Sequence, residues 1–144
     1  MLKKSIVLLL LVCSTGIIAQ SHRVRGLPHL AGADIPFYPR IARAAKVSGW
    51  IKVRVTVEAG KVTKLDVLET KGKSGSQILE HGSRLLTDPT LANLRTWHFD
   101  STVNDSFVVT YTYVLASVYP TENPKIEISP SLDVTVTTAP LSLD

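Results

Sequence analysis

From Trp50 onward, apolar side chains recur at every second position. Ile51, Val53, Val55 and Val57 fall on one face, and Trp50, Lys52, Arg54, Thr56 and Glu58 on the other. That period predicts a half-buried antiparallel strand over 51–57. Ala59-Gly60 allows a tight turn, and renewed alternation over 62–67 completes a β-hairpin. A third β segment is predicted at 107–115, where Phe107, Val109, Tyr111, Tyr113 and Leu115 alternate with Val108, Thr110, Thr112 and Val114. The aromatic face of that strand is expected in the core. Its backbone then becomes the candidate functional surface, because an unpaired strand edge accepts another chain through its N–H and C=O groups.

Residues 20–35 show no period and read as a loose lead-in. Pro36-Phe37-Tyr38-Pro39 is stiff, since each proline fixes its φ and drives its predecessor toward extended geometry. Pro39 then suits the first helical position. Ile41, Ala44, Ala45 and Val47 give a short helix its apolar side, with Arg40, Arg43 and Lys46 outward and Gly49 as its stop. Residues 70–76 are expected to form a flexible Gly/Lys/Ser connection. Ile78, Leu79, Leu85 and Leu86 predict a helix over 77–86, and Asp88-Pro89 a second helical start carrying Leu91, Leu94 and Trp97. The pattern fits one kinked helix or two. Trp97 and Phe99 are expected as core plugs. From Val118, four prolines cut the chain into short extended pieces, 125–128 and 132–137, which fit a loose hairpin or edge strands.

The first residues change the domain division. Lys3 and Lys4, the apolar run 6–12 and the small residues leading to Ala19 have the layout of a secretory signal peptide. The division is then signal 1–19, lead-in 20–35, domain 36–117 and extended tail 118–144. Cleavage near Ala19 and retention as an anchor are both open. The one cysteine, Cys13, lies in the signal, so no disulfide framework is expected. Net charge is +4, and without Lys3 and Lys4 there are 14 basic residues against 12 acidic, a balance of +2. So small and scattered an excess does not point to nucleic acid.

Candidate chemistry is sparse. Gly72-Lys73-Ser74 resembles the end of a phosphate-binding loop, but Val67 stands where that motif needs glycine. His22, His29, His81 and His98 lack metal-ligand spacing, and no serine sits in a nucleophile elbow. Asp66 and Glu69 are placed on opposite faces of a strand, which leaves no acid–base pair. Asn104-Asp105-Ser106 matches a glycosylation sequon, a short and common motif. No enzyme activity, metal or cofactor is expected.

Tyr38-Pro39-Arg40-Ile41-Ala42-Arg43, Val47-Ser48-Gly49-Trp50-Ile51-Lys52-Val53, Gly60-Lys61-Val62-Thr63 and Leu94-Arg95-Thr96-Trp97-His98-Phe99, in that order, resemble the TonB C-terminal domain. The resemblance covers roughly residues 36–115. It implies an α+β fold, a three-stranded antiparallel sheet packed on two helices, here followed by a β-rich tail. The implied partner is a TonB-box-like peptide of an outer-membrane TonB-dependent receptor, added as a strand beside the third one. The partner-binding residues carried over are Phe107, Val108, Val109, Thr110, Tyr111, Thr112, Tyr113 and Val114. Pro36, Phe37, Tyr38 and Pro39 form the neighbouring contact.

The implied function is an energy-transducer-like, peptide-binding domain linked to transport across the outer membrane. It is expected in the periplasm, or at the inner membrane if the N-terminal segment is retained. An open edge also allows a homodimer. The alternative is a structural envelope protein whose tail, 125–137, covers that edge and which has no transport role.

Overall fold

A computed structural model describes residues 26–75, 77–78, 84–117 and 123–141. The expected signal segment, His22 and His81 lie outside the described residues. In chain order the first elements are β1 (Leu30–Gly32), α1 (Arg40–Ala44), β2 (Val47–Glu58), β3 (Lys61–Ser74) and β4 (Gln77–Ile78). They are followed by α2 (Arg84–Leu94), β5 (His98–Phe99), β6 (Asp105–Leu115), β7 (Lys125–Ile128) and β8 (Val134–Thr138).

The expected three-stranded sheet on two helices is not what this chain builds. Its strands form one curled sheet of mixed sense in the order β1-β5-β3-β2-β6-β8-β7, with β4 pairing β3 off that path. Among the described residues, two short helices pack against β2. The difference lies largely in the residues read as a tail. β8 pairs parallel with β6, and β7 pairs antiparallel with β8. Val134 and Val136 are fully buried, so the alternation of 132–137 supplies core rather than a loose edge.

The hairpin is longer than its periodicity predicts. β2 starts at Val47, opposite Ser74, so the stretch expected as a flexible connection is mostly strand. Gly49 lies inside β2 opposite Gly72 and does not stop a helix. A Cβ on Gly49 would stand 1.9 Å from the Lys71 carbonyl oxygen, so only glycine lets the two backbones approach this closely. α1 is correspondingly reduced to five residues. At the other end Ala59 (φ 48°) and Gly60 (φ 77°) make the two-residue turn. Gly60 donates to Val103 O and accepts from Phe99 N, which ties the turn to the start of β6.

Two bulges in β3 reset its faces. The register slips between Lys52 and Val53 and again between Thr56 and Val57. Glu69 therefore opposes Lys52 while Asp66 opposes Arg54, and both acids lie on the outer face, not on opposite ones. Each is held by a lysine, Glu69 by Lys52 at 3.2 Å and Asp66 by Lys64 at 3.0 Å.

The helical stretch is also redistributed. Gln77 and Ile78 pair with the end of β3 as β4, and Asp88-Pro89 lies within α2, not at a helix start. Proline removes one amide donor there. Thr90 hydroxyl donates to Leu86 O at 2.7 Å in the same turn. Leu86, Leu94, Trp97 and Phe99 are buried with the inward face of β2 (Ile51, Val53, Val55, Val57) and that of β6 (Phe107, Val109, Tyr111, Tyr113). The expected core plugs and the expected aromatic face are both in this core.

Candidate functional site

The third strand of the sequence reading, now β6, does not present an open edge along its length. It lies between β2 and β8. On the β8 side the pairing runs from Tyr111 opposite Val134 to Leu115 opposite Thr138, and Ala116 N donates to Thr138 O. Thr110 N points the same way and donates to the Asp133 carboxylate at 2.8 Å. By the two-residue period of a strand, the amides of Thr112 and Val114 turn toward β8 as well.

β8 begins too late to cover the rest. Among the described residues, no strand pairs with 105–109 on that side. What remains is partly closed by carboxylates. Ser106 N donates to Asp105 Oδ1 at 2.7 Å, and Asp133 blocks Thr110. Asp133 is itself fixed by a tight turn: Ser131 hydroxyl donates to its carboxylate, and its own amide bonds Ser129 Oγ. Val108, exposed on the outer face, stands between the two capped amides. Charged side chains and occupied amides are devices that discourage unwanted strand pairing.

The second group of carried-over residues is mostly interior. Pro36, Tyr38 and Pro39 are buried, while Phe37 is exposed. Tyr38 hydroxyl donates to Val47 O at 2.5 Å, and its ring meets Tyr113 edge-on at 5.2 Å. This segment plugs the start of β2 and leaves only Phe37 to offer a partner. The sequon asparagine is also occupied, accepting from Ala59 N and donating to Thr102 O. Among the described residues, no group of three His, Cys, Asp or Glu could hold a metal ion, and no helix is long and apolar enough to cross a membrane.

Periodicity did not single out the polar residues of the core. Asn93 Oδ1 accepts from Tyr111 hydroxyl and from Trp97 Nε1, while its Nδ2 donates to Asp34 O. Thr90 Oγ1 bonds Tyr113 hydroxyl at 2.9 Å. These contacts fasten α2 to β6. Burial raises the phenols of Tyr38, Tyr111 and Tyr113: Tyr113 is pushed up to about 12, offset in part by its bond to Thr90, and Tyr38 and Tyr111 are raised further.

The consequence is a loss of stability in alkali. An unfolded phenol ionises near pH 10, whereas folded Tyr113 holds its proton to about 12. Between those values the unfolded state binds fewer protons, so stability falls as pH rises. For Tyr113 alone the fall is on the order of 3 kcal/mol. Urea denaturation is expected to give a flat plateau through mild alkali and a steep decline above about pH 10. Tyr113→Phe should make the decline shallower. An unchanged midpoint to pH 12 would contradict the burial of these phenols.

Compared with protein-family models, curated proteins and solved structures, the chain matches none.

Proposed function

We propose that this chain is a non-catalytic structural protein of the cell envelope whose third-strand edge is capped by its own C-terminal strands. The observation that carries the reading is the parallel pairing of β8 with β6 from Tyr111 to Leu115. A module that recruits partners by strand addition needs a row of unpaired amides. Here that row is taken up internally from Thr112 on and met by Asp105 and Asp133 at Ser106 and Thr110, which leaves Val108 between them. The envelope assignment rests on the signal-like pattern of residues 1–19.

A second reading keeps a TonB-like role. The stretch of β6 before Thr110, with no strand beside it and Val108 exposed, favours it. A receptor-type extended peptide would pair there, short of the capped half.

One experiment separates the two: amide NMR of the chain titrated with a TonB-box-like peptide, with hydrogen exchange measured in parallel. Self-capping predicts that the Thr112 and Val114 amides exchange as slowly as core amides and do not shift. Saturable shifts confined to Ser106 and Val108 would instead establish the second reading. Shifts at Thr112 and Val114 with loss of their protection would show that the cap opens and overturn the first.

A further inference from the structure

We propose that the outer face of the sheet, at the end where β2 begins, binds an anionic saccharide. The site is distinct from the β6 edge and works through side chains, not backbone pairing. Three adjoining clefts converge there, of about 280, 310 and 220 Å³. Two share Gly49, Trp50 and Lys73, and two share Ser48, Lys73 and Leu115, which makes the groove continuous.

Register decides which side chains meet in it. Trp50 lies opposite Lys71 on one side and Thr112 on the other, and Ser48 lies opposite Lys73. Cross-strand partners share a face. Indole, two ammonium groups and two hydroxyls therefore project from one small area, with Lys46 at its rim. Lys52 stands 5.5 Å from the Trp50 ring centroid and fixes the indole.

The charge in this groove is one-sided. None of the residues lining the three clefts is acidic. The nearest acid along β3, Glu69, is engaged by Lys52. Among the described residues, Lys46, Lys71 and Lys73 form no salt bridge. Like charges gathered without counter-charge raise the local potential and are relieved by a bound anion.

The rest of the lining narrows the ligand. An indole offers a flat apolar surface with a polar tip. Ser48 and Thr112 hydroxyls both donate and accept, which suits a ligand carrying hydroxyl groups of its own. A sugar ring bearing a carboxylate or a phosphate meets all three requirements: a C–H face for the indole, hydroxyls for Ser48 and Thr112, and an anion for the lysines.

The test uses the full chain and Trp50 fluorescence, Trp97 being buried and shielded. A galacturonic acid trisaccharide and a phosphorylated oligosaccharide are titrated, with maltotriose and a nucleoside monophosphate as comparators. Saturable change with either charged sugar supports the site, and which one acts identifies the anion. Lys71→Ala/Lys73→Ala, on exposed positions, should weaken binding about tenfold or more without moving the unfolding midpoint, and added salt should weaken it further. No saturable change with either sugar overturns the proposal. So does undiminished affinity in the double variant, equal binding of maltotriose, or a nucleoside monophosphate that binds as well as the sugars.

Discussion

A chain ended after Ala116 is expected not to fold. It would lose Leu132, Val134 and Val136, all buried, the last two completely. Burying three such side chains contributes roughly 5–9 kcal/mol, against a total stability of about 5–15 kcal/mol for a domain of this kind. The truncation also strips the ladder from half of β6. That wets the strand that carries Tyr111 and Tyr113, and it removes the Ala139 carbonyl that accepts from Arg43 Nε of α1. The expected measurement is a far-ultraviolet spectrum without a cooperative urea transition. Val136→Ala keeps the chain complete and should cost about 2 kcal/mol through lost burial and the cavity left behind. A truncated chain that unfolds cooperatively at the parent midpoint would mean that the last two strands are an appendage, and the edge of β6 would again be open to a partner.

That expectation marks where the sequence was readable. The hairpin and β6 were legible because alternation is a local signal, written in adjacent residues such as Ile51, Val53 and Val55. Trp97 and Phe99 were legible as core for a similar reason, as large aromatic side chains closing an amphipathic stretch. The alternation of Leu132, Val134 and Val136 was equally visible, and its hairpin with 125–128 and its cover of the β6 edge stood among the readings, but nothing local chose them over an open edge. A parallel pairing joins strands through a crossover connection, so no turn residue announces it. Whether the edge of β6 was vacant depended wholly on that non-local pairing. The fold class was misjudged for the same reason.

Smaller errors have local causes. Gly49 follows a helical pattern and precedes a strand, and it reads equally well as a helix stop or as a site of close backbone approach. Gly72, twenty-three residues on, decides between them, since the two glycines face each other across the hairpin. The bulge near Leu68 shifts every later side chain of β3 by one position and so brings Asp66 and Glu69 to a common face. Periodicity counts residues and does not see an inserted one. The Trp50 groove shares this dependence, because Lys71 and Lys73 meet Trp50 and Ser48 only in the bulged register.

Asn93→Leu is expected to be among the costliest single substitutions in the core. Leucine has the branched heavy-atom skeleton of asparagine but is bulkier and offers no polar atom, and Asn93 serves three groups at once. Tyr111 hydroxyl and Trp97 Nε1 both lie in a buried setting and would lose their acceptor, while the Asp34 carbonyl would lose a donor. Each buried group left unpaired costs about 1–3 kcal/mol, so the loss should reach roughly 3–5 kcal/mol. The double variant Asn93→Leu/Tyr111→Phe removes one orphaned hydroxyl along with its acceptor. It should recover about 1 kcal/mol or more relative to Asn93→Leu alone. Urea midpoints of parent, both single variants and the double variant give the coupling directly. Strict additivity of the two changes would mean that Tyr111 does not depend on Asn93, leaving the Thr90–Tyr113 bond and apolar packing to hold α2 to β6.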